Sequence, residues 1–194
     1  MRKLLCQVVG GFLLGILAFA LTSELIPFYS RDPADEFRAA ERRLAGAQTR
    51  EDLFYSLNDA AKLAVEAHAL DRAELYSNEL LELSGDFKEN WNFGNAIFDG
   101  NMVLGRVALR RGNIEEAKRR LLKAVTTPGS PQLDSFGPNM ALARELIKEG
   151  EGKVVQQYLD LCRRFWKMDD GRLTLWSWMV KVGLTPSFGA NLRY

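Results

Sequence analysis

A chain of 194 residues, 47% hydrophobic and 26% charged, has room for one hydrophobic core and falls short of the roughly 250 residues at which chains divide into two. Its 26 Lys and Arg balance 25 Asp and Glu; setting aside Arg2 and Lys3, which precede an apolar run, leaves 24 against 25, a net charge of −1. A near-neutral body without a basic stretch lacks the electrostatic footprint that phosphate backbones require, so nucleic acid is not an expected ligand.

Residues 4–23 carry no charge and only Gln7, Thr22 and Ser23 as appreciably polar side chains. At about 1.5 Å per residue, twenty helical positions reach across a hydrocarbon core of ~30 Å, which predicts an N-terminal transmembrane helix. Arg2 and Lys3 before the run, with Arg31, Asp32, Asp35 and Glu36 of mixed sign after it, place the N-terminus in the cytoplasm and the bulk of the chain on the extracytoplasmic side. Ala18-Phe19-Ala20 also forms an A-x-A site, and cleavage after Ala20, which leaves a periplasmic or secreted domain, is the alternative. The apolar continuation Leu25-Ile26-Pro27-Phe28-Tyr29 favours the uncleaved anchor. Gly11 and Gly15 make a GxxxG spacing through which two such helices can pair as a homodimer. Cys6 belongs to this segment and Cys162 to a helical pattern further on, so no intrachain disulfide is expected and Cys162 reads as a small core residue.

Beyond the anchor, start and stop signals predict helices only. Asp32-Pro33 opens one that Gly46 closes; Thr49 and Asp52 form a capping box for a second, running to about Ala67. Asp71 with Glu74 opens a third, closed by Gly85. A pair follows over about 95–111 and 115–126, with Asn113 as the cap of the second member and Glu116 three residues on. Pro138 starts another, interrupted at Gly150, with a partner over 152–166. A final helix covers 172–182 and ends at Gly183 and Pro186.

These helices repeat in pairs. Leu104-Gly105, Ala108, Gly112, Ala117, Leu121 and Ala124 fall at the intervals of a tetratricopeptide unit, with small residues where two helices cross. Ala61, Gly105 and Ala143 align at the close-approach position, Ala64, Ala108 and Leu146 three further on, and Ala73, Ala117 and Val155 in the second helices. The spacings of 44 and 38 exceed the regular thirty-four, and the excess is assigned to two loops, 85–100 and 127–137.

On these residues, and on NWNFGNAIFDGNMVLGRVALRRGNIEEAKRRLL, TPGSPQLDSFGPNMALARELIKEGE and FGANLRY, the chain resembles a divergent tetratricopeptide-repeat (TPR) protein and is similar to a group of bacterial proteins of no assigned function. The resemblance implies an all-α, right-handed helical-repeat (TPR-like) solenoid that binds a protein or peptide, and it brings no catalytic residues. The expected organisation is an anchor and juxtamembrane segment over 1–31, the helical-repeat domain over 32–183 and a tail over 184–194.

In such folds the first helix of each pair lines the groove. One position beyond the close-approach residue lie Lys62, Arg106 and Arg144, and four residues before each of these lie Asn58, Met102 and Met140. This predicts a column of three cations beside an Asn and two Met, suited to an acidic peptide or a free carboxylate. The alternative is that the cations pair with Glu66, Asp99 or Glu145 along the helix faces. Trp91, Asn92 and Asn95 in the first loop form a second candidate surface, amide-rich and aromatic.

Enzyme signatures are scarce. His68 is the one histidine in the sequence and reads as a turn residue, so histidine triads and His-rich metal sites are not expected. No GxxxxGK[ST] or GxGxxG occurs, and no metal or other cofactor is expected. A carboxylate-based hydrolase acting on cell-envelope glycan and a purely structural, dimerising membrane protein are the competing readings. The late aromatics, Phe165, Trp166, Trp176, Trp178 and Phe188, read as the cover of the last repeat, with Trp176 and Trp178 diverging on their helix.

Overall fold

Helices begin where a side chain can take up the free N–H groups of a first turn and end where the backbone turns left-handed. In the computed structural model, which describes residues 32–193, nine α-helices follow from this punctuation, and no strand occurs among the described residues. The transmembrane helix, the Ala20 cleavage site and the Gly11/Gly15 pair lie outside the described residues. Within them no helix is long and apolar enough to cross a membrane.

The helices are α1 (Pro33–Ala45), α2 (Arg50–Glu66), α3 (Leu70–Leu83), α4 (Phe93–Arg110), α5 (Ile114–Ala124), α6 (Pro131–Ser135), α7 (Ala141–Lys148), α8 (Gly152–Cys162) and α9 (Arg172–Lys181). Thr49 Oγ1 accepts the Asp52 N–H at 3.0 Å and the Asp52 carboxylate accepts the Thr49 N–H at 3.1 Å, closing the capping box of α2. Asn113 caps α5 through the Glu116 N–H as its spacing predicts. His68 sits in the turn between α2 and α3 with φ 59°.

Three boundaries differ from expectation, each for a local reason. Helix α3 starts at Leu70 rather than at an Asp71 cap, because Asp71 already lies in the first helical turn. The third pair opens at Ala141, not at Pro138, since Asn139 Oδ1 accepts the Ala141 N–H and so delays the helix. Helix α4, expected from about 95, opens at Phe93, so residues 93–100 of the stretch 85–100 to which the excess length was assigned are its first two turns.

Neighbouring helices pack as α2 on α3, α4 on α5 and α7 on α8, with α2 against α4 and α4 against α7 linking successive pairs; α1 leans on α2 and α9 on α8. Helix α4 is buried on nearly every side. Its Ala96, Val103 and Val107 join a core with Phe54, Leu57 and Leu80, while its Phe98, Met102 and Ala108 join a second with Leu121, Leu142, Tyr158 and Trp166. Gly105 makes this possible: a Cβ there would lie 2.3 Å from Leu142 Cδ2 and 3.1 Å from Arg120 Cβ, so α5 and α7 both crowd its Cα. The aligned small residues Ala61, Ala64, Ala73, Ala117 and Ala143 are likewise buried.

Residues 184–193, expected as a tail, pack back onto the body. The Asn191 amide donates to the carbonyls of Phe136 (3.0 Å) and Pro138 (3.1 Å), its carbonyl accepts the Met140 N–H at 2.6 Å, and Phe188 is enclosed edge-on to Trp176.

Candidate functional site

Two of the three cations of the first-helix column, Lys62 and Arg106, are paired rather than open. Arg106 is 4% exposed; its Nη1 lies 2.5 Å from Glu66 on α2, and its Nε and Nη2 bind Glu145 on α7 at 2.9–3.2 Å. Lys62 lies 3.5 Å from Asp59 and 3.6 Å from Asp99 on α4. Arg144 is half-buried, with its Nε enclosed and unpartnered among the described residues. Met102 and Met140 are fully buried in the core. The expected open column of cations with two adaptable Met is thus replaced by an ion-pair ladder across α2, α4 and α7, because α4 lies between two cores and has no free side at these positions. For Lys62 and Arg106 the structure contains the pairing with Asp99, Glu66 and Glu145 that the sequence offered as the alternative.

Where the ladder ends at Lys62 and Asp99, a cavity of about 410 Å³ opens. Helix α2 contributes Lys62, and α4 contributes Asn95, Phe98 and Asp99. Segment 132–139, which includes most of α6, contributes Gln132, Ser135, Phe136 and Asn139; Arg172 at the start of α9 and Asn191 and Arg193 of the terminal segment complete the wall.

The polar lining is held in place. Ser130 caps α6 by accepting the Leu133 N–H and donates its hydroxyl to Asn95 Oδ1 at 2.6 Å. Asn95 in turn donates to Gln132 Oε1 at 2.9 Å and to Asn92 Oδ1 at 2.8 Å. The two long inter-pair segments are therefore stitched to each other. Gly94 permits the seam, since a Cβ there would fall 1.8 Å from the Gly129 carbonyl oxygen, and Thr127 donates to the Gly94 carbonyl at 2.7 Å. Arg172 lies 4.7 Å above the Trp166 ring and donates to the carbonyls of Asp169 and Met168.

Three cations, Lys62, Arg172 and Arg193, line this cavity against one carboxylate, Asp99. Burial pushes the Asp99 carboxyl above the usual carboxylate range, and Lys62 and the neighbouring Asn58 offset part of the rise. Two of these cations also have carboxylate partners outside the lining, Lys62 with Asp59 at 3.5 Å and Arg172 with Asp170 at 3.3 Å. Phe136, 74% exposed, stands at the rim.

Of the residues singled out from sequence, Lys62 and Asn95 reach this cavity; Asn58 supports Asp99 from behind and Asn92 supports Asn95. Trp91 is half-exposed and stacked on Tyr55, and does not line it. Gln132, Ser135, Phe136, Asn139, Asn191 and Arg193 were not singled out. The readable signal for the first three was Ser130-Pro131, an N-cap followed by Pro at the first helical position, within a stretch expected as loop. Burial pushes the Cys162 thiol far up and leaves it inert in the core. Among the described residues, no group of His, Cys, Asp and Glu is arranged to hold a metal. Compared with known proteins, no family model, curated protein or solved structure matches the chain.

Proposed function

We propose that this chain is a membrane-tethered helical-repeat (TPR-like) scaffold that binds an acidic protein or peptide segment on the extracytoplasmic side, with the 410 Å³ cavity as its receptor site. The observation that carries the reading is the lining itself: three cations and one carboxylate among neutral amides, with an exposed Phe at the mouth. Neutral amides both donate and accept, as a peptide backbone requires, while Arg supplies charge-assisted bonds to a carboxylate. The consecutive helix pairs and the close crossing at Gly105 support the repeat reading, and residues 4–23 support the tether. Glycoside hydrolysis requires two facing carboxyl groups, and Asp99 is the one carboxylate among the described lining residues, which favours binding over catalysis at this site.

The test is a peptide array in which acidic sequences are paired with Gln/Asn counterparts, probed with the full chain. Acidic members should be retained, and Arg193→Glu combined with Phe136→Ala should weaken retention by roughly tenfold or more, equivalent to about 1.4 kcal/mol. Both side chains are exposed, so the fold should survive the changes. Equal retention of acidic and neutral peptides would refute the reading.

A further inference from the structure

The last helix carries an apolar face that the fold leaves uncovered. On α9, Leu173, Trp176 and Val180 recur at spacings of three and four and are buried against α8 and the terminal segment. Leu175, Trp178 and Val182 recur at the same kind of spacing and are each about half exposed. With 3.6 residues per turn, Trp178 lies opposite the middle of the buried face. Leu184, whose N–H returns to the Met179 carbonyl at 2.8 Å, is exposed to the same degree just past the helix end. A helix apolar on both sides is ordinarily enclosed, and the end helix of a stack ordinarily turns a polar side outward. Helix α9 does neither.

We propose that the Leu175, Trp178, Val182 and Leu184 face of α9 seats the domain on an anionic lipid bilayer surface. Charge is the first argument: residues 171–193 contain no Asp or Glu, and of their cations Lys181 is the one outside the cavity wall, where Arg172 pairs with Asp170 at 3.3 Å and Arg193 also lies. Exposed Lys181 follows Trp178 by one helical turn; at the other end Arg163 donates to Thr174 Oγ1 at 3.2 Å and pairs with Asp160 at 3.7 Å. An indole at headgroup depth beside a lysine whose stem lies along the apolar boundary is the arrangement of interfacial helices.

Area is the second argument. Four half-exposed side chains present on the order of a few hundred Å², well short of the ~800 Å² per partner in a stable dimer, whereas a bilayer needs no matching contour. The third is proximity. The same chain carries the uncharged run 4–23, read from sequence as a span, so a bilayer is the surface present at the highest effective concentration. The proposal therefore rests on the tether but not on the acidic-peptide cavity.

The test uses the full chain reconstituted into phosphatidylcholine–phosphatidylglycerol vesicles whose acyl chains are brominated, compared with unbrominated vesicles. Trp178 is one of four tryptophans, so contact with lipid should lower total emission by up to about a quarter. Trp178→Phe should abolish the difference and Trp91→Phe should preserve it. Leu175→Ser with Val182→Ser should also abolish it, at unchanged helical circular dichroism. Equal emission from the two kinds of vesicle overturns the proposal, as does quenching that survives Trp178→Phe. A second copy of the chain covering the face would shield Trp178 and give the former result. Peptide retention at the cavity is read separately and is unaffected by either outcome.

Discussion

Arg106 grips Glu145 through both its Nε and its Nη2 while its remaining nitrogen reaches Glu66, so one guanidinium joins three helices from successive pairs. A fork of donors on a rigid plane suits this task, and the ammonium of a Lys would lose the two-point hold on Glu145. Arg106→Ala should cost about 3 kcal/mol in urea unfolding, because two partly buried carboxylates lose their counter-charge. Adding Glu66→Gln and Glu145→Gln should return most of that loss. A loss that persists in the triple variant would place the contribution of Arg106 in packing rather than charge.

Asp99 supplies a pH signature. Its carboxyl titrates above the unfolded reference of 3.8 because burial disfavours the anion. A raised carboxyl favours the folded state at pH below 3.8, and this contribution is lost as pH rises through the folded value. Asp99→Asn does not titrate. Its melting temperature should therefore improve relative to the parent as pH increases from below 4 into the neutral range, then run parallel. A difference that stays constant with pH would contradict the burial assigned to this group.

Close approach sets a third expectation. A methyl group at Gly105 meets the tip of Leu142, which has some freedom to give; one at Gly94 meets a backbone carbonyl, which has none. Gly105→Ala should cost about 1–3 kcal/mol net of helix propensity, and Gly94→Ala should cost more. Thermal melts of the two variants decide the order, and the second should also disturb the Asn95–Gln132 seam.

Capping offers a smaller and cleaner effect. Thr49→Ala removes the acceptor for the Asp52 N–H and should lower stability by about 1 kcal/mol. The paired hydrogen bonds also hold the Asp52 carboxyl below its ordinary range. Its contribution is present at neutral pH and fades as pH falls through that lowered value, so the Thr49→Ala penalty should shrink in acid.

Helix order and the crossing residues were readable because both depend on neighbours a few positions apart in sequence. Thr49 with Asp52, Asn113 with Glu116 and the left-handed turns at Gly112 and Gly150 act within one helical turn, and each appears where its spacing put it. The first turn of α4 was readable only in part, since the helix was expected from about 95 and opens at Phe93. Phe93, Gly94 and Asn95 resemble loop composition, and they are helical because Thr127, Gly129 and Gln132, more than thirty positions away, close over them. The cavity was hidden for the same reason. Its wall comes from α2, α4, α6 and the terminal segment, and no single stretch of sequence contains enough of it to announce a site.

Asn191 closes that wall from more than fifty positions beyond Phe136 and Pro138, whose carbonyls it holds. During synthesis the helix pairs can dock as they emerge, each on the one before, while the recess beside Lys62 and Asp99 stays open on one flank until residues 188–193 have been made. On the proposed binding reading, the recess is complete only once this segment has folded back onto the body. A fusion or trimming that disturbs Asn191 should strike ligand capture first, with the paired helices persisting behind it.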